Sequence, residues 1–505
     1  MRRVMAVFVA ICLSLPIAPA TSAPTNGKVC QRQNQVKLNG ATEYICKKSA
    51  GKLKWRIVKS KPSFNPDPRP AGPIFKNDCE PDPLVPKQWE IYQQNVPSNY
   101  CSPPYRYLVK TLTTETPNTI PTPQGDLLPI NQCKLQRGEG WDYERRNGTK
   151  LNPNIVVQLI PFATTDYPAT TDPRVDWKDY IDFIVDSLTK MTDVPSNYQF
   201  RIAPKYFPID KKLVDYGLSA LVSHGDASAN GARNRLAKDV LAVADAEINF
   251  SDVNKVFFIS PTTVPRSVLA NQIGWGERLA TTEKIFENGI YITSYINDFK
   301  SPYWHPREPF AFIHEMMHIF NTAEDYYGDA DYGGNEVGAG NWGNMSRGRM
   351  DHLVWDKWSA QMIADDQVRC VSITSKSVHW IKPSTIQGNH EKLVLIPLNR
   401  YEAIAIESIR ASGFNYKIPA KQHGALVYRL NTAEIDDHSV HGDGLRVLCP
   451  TNRTCNKQPD PEFRGFRLAT ATLKAGDYLD HAGIRIKLVE AGDYGDVVSI
   501  EPINN

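Results

Sequence analysis

The sequence predicts an α+β protein with three folded parts. Between residues 151 and 370, segments with strand character alternate with segments with helix character, which is typical of an α/β-sheet domain. After residue 370 the helical patterns end, and short apolar strands separated by turns predict an all-β, sandwich-like domain over residues 371–505. Two cysteines in a basic segment predict a small disulfide module over residues 24–62.

Residues 1–23 have the features of a secretory signal peptide. The positively charged start, Met1-Arg-Arg, precedes an apolar stretch from Val4 to Ile17, and Ala18-Pro-Ala20 offers a cleavage site. A transmembrane helix is the alternative, but this stretch is shorter than the roughly 20 apolar residues that span a bilayer. No later segment is apolar enough to span. We therefore expect a secreted, extracellular protein without a transmembrane anchor.

The small module over residues 24–62 is strongly basic, with ten Lys or Arg residues and one acidic residue, Glu43. Its pattern is Cys30, Gly40, Tyr44-Ile-Cys46 and Gly51-Lys-Leu-Lys-Trp55. This pattern resembles a small disulfide-clasped module of exported actinobacterial proteins. The positive charge favours contact with the cell wall, through acidic polymers or lipids. A solvated basic face without a partner is the alternative.

Residues 63–150 are rich in proline and predict a linker followed by an irregular segment. The stretch 62–73 contains too many prolines to hold a helix. Two roles fit the remainder of this region, either a pro-segment or a brace across the α/β-sheet domain.

The cysteine content agrees with an oxidising destination. Cys12 belongs to the signal peptide, so the other eight cysteines can all form disulfides. Short spacing favours two pairs, Cys30–Cys46 and Cys449–Cys455. Spacing assigns no partners to the remaining four, which are Cys79, Cys101, Cys133 and Cys370. A second metal site is the alternative use of these thiols, but the sequence contains no C-x-x-C.

Hydrophobic periodicity predicts the individual elements. In the α/β-sheet domain they are strand Ile155–Ile160, helix Trp177–Thr192, strand Tyr198–Ala203, helix Asn234–Ala246 and strand Val256–Ile259. The strands predicted after Cys370 are Lys392–Ile396, Ala403–Ile409, Ala425–Leu430, Gly483–Leu488 and Val497–Glu501.

The most informative motif is H-E-x-x-H at His314, Glu315 and His318, inside a segment that predicts a buried helix. On a helix, the two imidazoles lie one turn apart on the same face and can bind one zinc ion at about 2.0–2.1 Å. Glu315 then flanks the open coordination position, where a general base can take a proton from the attacking water. A chance match, or a histidine pair buried in a core without metal, is the alternative.

The third ligand is expected shortly after this helix. Glu324, six residues beyond His318, fits if the chain reverses at Asn321, a residue type that tolerates a left-handed backbone. Asp325 is the alternative, reached by a change of register. Glu336 on a second helix is disfavoured, because residues 328–340 are rich in glycine.

A second signal is a methionine in a glycine-flanked segment, Gly340-Asn-Trp-Gly-Asn-Met-Ser-Arg-Gly348. Met345 at this place has two interpretations, a gap-filling apolar contact or a structural Met-turn beneath a metal.

Together these motifs resemble the secreted bacterial metallopeptidases of the immune-inhibitor-A type, over roughly residues 154–502. The family pattern is H-E-x-x-H-x-x-G-x-x-D-x-Tyr followed by a W-x-x-M-S-x-G turn, and Tyr326, Trp342, Met345, Ser346 and Gly348 match it. Asn321 and Glu324 depart from it, because they replace the usual Gly and the usual Asp ligand. The resemblance implies a zincin-like catalytic domain of the metzincin kind and an endopeptidase activity. It also implies a helix over Leu353–Ile363, similar to the one that follows the turn in the family.

The remaining charge pattern adds one cofactor and excludes one partner. Asp325, Asp329, Asp331 and Glu336 can bind calcium, although a hydrated acidic loop is the alternative. The net charge of +3 does not indicate nucleic acid. A hydroxyl of Tyr326, Tyr327 or Tyr332 could stabilise an oxyanion, or these side chains only pack.

The sequence therefore predicts a secreted zinc endopeptidase that acts on protein or peptide substrates. His314, His318 and Glu324 would hold zinc, and Glu315 would be the catalytic base. The alternative is a secreted protein that binds cell wall or glycan and has a structural or degenerate zinc site.

Overall fold

A computed structural model gives the fold of this chain. It describes residues 28–30, 36–39, 42–49, 51–57, 100–101, 107–108, 112–123, 127–136, 154–218, 227–264, 268–269, 279–286, 290–293, 312–314, 316–317, 326, 338–346, 350–415, 418, 420–433, 444–458 and 466–503. The chain divides into two compact units, residues 1–63 and residues 64–505. The described residues form helices and several sheets without a closed barrel, which confirms the mixed α+β class.

The first unit contains a three-stranded antiparallel sheet. Its strands are β1 (Val36–Asn39), β2 (Thr42–Ser49) and β3 (Lys52–Ile57), in that order. Cys30 and Cys46 form the predicted disulfide and are buried together with Trp55. A sheet this small has little apolar surface to bury, so the disulfide adds stability that a small core alone does not supply.

In the described part of the second unit, the first elements are short strands β4 (Tyr100–Cys101) and β5 (Tyr107–Leu108), and a parallel sheet comes after them in the chain. The strands of the parallel sheet are β6 (Asn154–Thr164), β7 (Asn197–Ile202), β8 (Phe207–Ile209), β9 (Lys255–Ile259) and β12 (Ile290–Thr293). Their order is β12-β9-β6-β7, and β8 also pairs with β6. Strands β10 (Leu279–Ala280) and β11 (Ile285–Phe286) form a separate antiparallel pair.

Helices cover both faces of this parallel sheet. They are α1 (Pro173–Asp176), α2 (Lys178–Met191) and α3 (Ala227–Ala244). Neighbouring residues of β9 point to opposite faces, so Phe257 shares a core with α2, whereas Phe258 shares a core with α3. The predicted strands and helices of this region are present, but two of their bounds were wrong. Helix α3 begins at Ala227, seven residues before the predicted start at Asn234, and β6 runs four residues beyond the predicted end at Ile160.

The carboxyl-terminal region consists of two antiparallel-rich sheets that face each other across a core. One sheet has the order β13-β15-β16-β17-β18 and the other has the order β14-β21-β20-β19. The first sheet contains β13 (Val368–Cys370), β15 (Leu393–Pro397), β16 (Glu402–Ile409), β17 (Gly424–Asn431) and β18 (Leu445–Val447). The second contains β14 (Ser377–Ile381), β19 (Tyr478–His481), β20 (Ile484–Gly492) and β21 (Gly495–Pro502).

The outer face of the first sheet continues the core of the α/β region. Leu395 on β15 and Tyr428 on β17 belong to the same cluster of buried residues as Phe257. Short helix α4 (Val354–Ser359) contributes Val354 to this cluster. Single turns of 3-10 helix occur at Ile130–Cys133, Leu213–Tyr216, Asp365–Gln367 and Ala420–Gln422.

Parts of the proline-rich region lie along this sandwich. The amide of Thr122 donates to the carbonyl of Val378 at 2.8 Å, and that of Leu128 donates to Cys370 at 2.9 Å. Cys133 forms a disulfide with Cys370. The described segments 112–123 and 127–136 therefore brace the β-rich region.

The predicted local pair Cys449–Cys455 is also present as a disulfide. Cys79 lies outside the described residues, and of Cys101 only the backbone is described.

Candidate metal centre

The structure describes the first residue of the zinc motif and the frame around it. Residues 312–314 and 316–317 are helical, as predicted. Glu315, His318, Glu324 and Asp325 lie outside the described residues. The predicted calcium-binding residues and the predicted signal peptide also lie outside them.

The helix that carries His314 is seated on the parallel sheet. The ring of Phe312 lies 4.6 Å from that of Phe257 on β9 and 6.3 Å from that of Phe200 on β7, measured between centroids. Ile313 and Met316 are fully buried in the same core. Apolar residues flank His314 on both sides in the sequence, and they pack against the turn residues Trp342 and Met345 as well as against the sheet.

The His314 side chain is buried, and its ring has a defined partner. Its Nδ1 atom lies 2.5 Å from the backbone carbonyl oxygen of Asn344. A carbonyl can only accept, so Nδ1 is the protonated nitrogen, and whenever the ring is neutral its lone pair lies on Nε2. Histidines that bind metals have this arrangement, in which a backbone carbonyl fixes the tautomer and orients the ring.

The carbonyl that fixes His314 belongs to a tight turn over residues 338–346. Gly340 and Gly343 have φ angles of 62° and 77°, a left-handed conformation that favours glycine. The hydroxyl of Ser346 donates to the carbonyl of Gly340 at 2.5 Å and closes the turn. Met345 is fully buried next to Asn344. The predicted glycine-flanked turn is therefore present, and it contacts the zinc-motif helix.

The turn is also fastened to the β-rich region. The indole nitrogen of Trp342 donates to the carbonyl of Leu468 at 3.0 Å, and its ring contacts Phe466 edge-on at 4.9 Å. A Cβ added to Gly340 would lie 2.6 Å from the carbonyl oxygen of Arg467. This glycine is needed because the two backbones approach so closely.

Tyr326 packs against the same turn. Its amide donates to the carbonyl of Met345 at 2.9 Å, and its hydroxyl donates to the buried carboxylate of Asp356 at 2.9 Å. The hydroxyl thus has a partner within the fold, which agrees with a packing role for this tyrosine. Tyr327 and Tyr332 lie outside the described residues.

Among the described residues, no three His, Cys, Asp or Glu side chains come together as a metal site. His314 is the only described member of the predicted set, so the ligand set stays a prediction. The chemistry of His314 fits a zinc ligand, since its ring is oriented and its Nε2 carries the lone pair.

Comparison with known proteins adds no relative. No family model, no curated protein and no solved structure matches this chain. Within the described part of the chain, no helix is long and apolar enough to cross a membrane. The site must therefore be interpreted from its own chemistry.

Sequence reasoning missed two features of this centre. One is the carbonyl of Asn344, and the other is Asp356, the partner of Tyr326. A backbone acceptor leaves no signal in residue identity. Asp356 looks like an ordinary polar residue of a short helix, although it is completely buried.

Proposed function

We propose that this protein is a secreted zinc-dependent endopeptidase. The observation that carries the proposal is the hydrogen bond between Nδ1 of His314 and the carbonyl of Asn344, within an H-E-x-x-H sequence. A buried histidine needs hydrogen-bond partners, but a partner that fixes the Nδ1–H tautomer is what a zinc ligand requires.

The proposed roles follow the motif. His314, His318 and Glu324, with Asp325 as the alternative to Glu324, would hold the ion. When bound, zinc would polarise the scissile carbonyl and lower the pKa of a water molecule to about 7. Glu315 would take a proton from the attacking water and return it to the leaving amine. A protein or peptide chain is the proposed substrate, outside the cell.

The test compares the exported protein with its Glu315→Ala variant. Bound zinc is measured first, and both proteins are then incubated with unfolded casein, with and without a chelator. Glu115→Ala is the matched control, because Glu115 is exposed and lies far from the motif in the sequence. We expect the wild type and the control to cleave casein, and the Glu315→Ala protein to retain zinc without cleaving.

Two results would count against the peptidase. Wild-type protein without bound zinc would remove the proposed site. Zinc held by four protein ligands without an open position would favour a structural site, and hence the cell-wall- or glycan-binding alternative.

A second function is favoured by the charge distribution in the first unit. Leu53 and Trp55 on β3 contact the small core, so the alternate residues Lys52, Lys54 and Arg56 point to the opposite face. Lys47 on β2 is directly opposite Lys54 and shares that face. We call Lys47, Lys52, Lys54 and Arg56 the basic face.

The basic face fits a linear polymer of phosphodiesters. Cations at every second residue of a strand recur about every 6.8 Å, which forms a row of charges along the strand. Trp55 is buried, so the described part of this face has no aromatic platform for stacking bases.

Binding of the full chain to inorganic polyphosphate tests the basic face. Replacing its four cations with Gln is expected to abolish a binding that weakens as salt is raised. The matched control replaces four exposed lysines of the second unit, Lys212, Lys238, Lys457 and Lys487, with Gln. Equal loss in both variants would mean that only net charge matters, and preference for anionic vesicles or single-stranded DNA would contradict a wall polymer.

A further inference from the structure

Tyr326 joins the segment that would supply the third zinc ligand to the turn over residues 338–346 and to helix α4. It follows directly on the two candidate third ligands, Glu324 and Asp325. Consecutive Cα atoms are about 3.8 Å apart, so the position of Tyr326 limits where the backbone of either candidate ligand can lie.

Hydrogen bonds on three sides fix the position of Tyr326. Its amide donates to the carbonyl of Met345, and its own carbonyl accepts from the amide of Ala339, both at 2.9 Å. The hydroxyl of Ser346, whose shorter hydrogen bond goes to Gly340, lies 3.3 Å from the same carbonyl. The third side is the side chain, whose hydroxyl donates to Asp356 at 2.9 Å. The backbone of Tyr326 is thereby joined to the turn, and its ring to helix α4.

The helix that carries Asp356 is held by the β-rich region. The first amides of α4 lack partners within the helix, and two side chains of the sandwich accept from them. The amide of Val354 donates to Glu407 on β16, and that of Trp355 donates to the hydroxyl of Tyr428 on β17, both at 3.3 Å. Lys357 and Asp351 form a buried ion pair at 2.5 Å. Helix α4 is therefore fastened at its amino end to the outer face of the sandwich.

We infer that Tyr326 and Asp356 are positioning residues for the third metal ligand. Through these two residues, the β-rich region would determine the position of the carboxylate of Glu324 or Asp325 relative to the metal. The sandwich is then part of the metal centre and more than a neighbouring domain. This inference rests on the proposed function.

The decisive variant is Tyr326→Phe, which removes the hydroxyl and keeps the ring. Zinc affinity is measured by competition with a chromophoric chelator, and the cobalt(II)-substituted protein supplies an absorption spectrum of the site. We expect zinc to bind about 10–100-fold more weakly. The cobalt spectrum is also expected to change, while the far-ultraviolet circular dichroism stays that of the wild type.

Tyr198→Phe is the matched control. Tyr198 is buried in the same core, and its hydroxyl lies 2.8 Å from that of Thr192, so the variant loses a comparable hydrogen bond. We expect this control to lower the melting temperature without changing zinc affinity. Asp356→Asn keeps an oxygen that can accept from Tyr326, and we expect it to bind zinc more tightly than Tyr326→Phe does.

Tyr326→Phe with wild-type zinc affinity and a stability loss like that of Tyr198→Phe would overturn the inference. A wild type that binds zinc but cleaves no protein would contradict the peptidase alone, and the affinity of Tyr326→Phe would still decide the positioning role. A wild type without zinc would overturn both.

Discussion

The ring of His314 and the carbonyl of Asn344 are 30 residues apart in the sequence and 2.5 Å apart in the fold. This hydrogen bond joins the zinc-motif helix to the turn around Met345. Because the acceptor belongs to the backbone, its position depends on the conformation of the turn and is independent of the Asn344 side chain. The glycines that shape the turn are therefore expected to control the metal site.

Gly343→Ala tests this dependence. An added Cβ would lie 2.8 Å from Cγ of Leu353, and the backbone there is left-handed. We expect the turn to shift and zinc to bind at least about 10-fold more weakly. Gly217→Ala is the control, because Gly217 has a similar φ of 72° but no atom within 4 Å of the added Cβ.

Both glycine variants carry the strain of a left-handed alanine, about 1–2 kcal/mol. The Gly217→Ala protein is therefore expected to melt at a lower temperature while binding zinc like the wild type. Equal zinc affinity in the two variants would show that the turn does not determine the geometry at His314.

The disulfide Cys133–Cys370 is expected to stabilise the second unit more than Cys449–Cys455 does. The two bonds close segments with sequence separations of 237 and 6, and the loop-closure model predicts a difference of about 3 kcal/mol. Replacing each pair with Ser and comparing denaturant midpoints measures this difference. Similar midpoints for the two variants would contradict the prediction.

Glu407 is expected to make stability depend on pH. Burial raises the pKa of Glu407 to about 8 from an ordinary 4.5, although hydrogen bonds from Val354 and Tyr428 and the charge of Lys357 oppose this shift. Asp356 adds to the increase. The folded protein thus keeps a proton that the unfolded chain releases, so this contribution to stability is complete below pH 4.5 and is lost as pH rises through about 8.

Glu407→Gln removes this titration, because glutamine stays neutral. The difference in melting temperature between wild type and variant is expected to fall steadily from pH 5 to pH 8.5. Glu115→Gln, at an exposed position, serves as the control and is expected to follow the wild type. A constant difference across this range would mean that Glu407 is ionised in the folded protein.

Sequence patterns predicted those parts of the fold that depend on local chemistry. Strand Val256–Ile259 and helix Trp177–Thr192 were predicted from periodicity, and the observed elements span Lys255–Ile259 and Lys178–Met191. The pair Cys30–Cys46 was predicted from short spacing. In each case the determining residues lie close together in the sequence.

Features that depend on distant contacts were not predicted. No local pattern joins Cys133 to Cys370, because loop closure over such a distance depends on the whole fold.

The helix predicted over Leu353–Ile363 ends at Ser359, so that prediction was wrong at its carboxyl end. Gln361 adopts φ of 58°, and the amide of Met362 donates to the carbonyl of Lys357, which completes a Schellman motif with glutamine in the usual place of glycine.

X-ray diffraction at the zinc absorption edge, on crystals grown with zinc, tests the central claim most directly. The account predicts an anomalous peak about 2.0–2.1 Å from Nε2 of His314, with His318 and the carboxylate of Glu324 or Asp325 around it. Nδ1 of His314 would still donate to the carbonyl of Asn344. Absence of a peak near His314 with zinc in excess, or a peak bonded to Nδ1, would contradict the account.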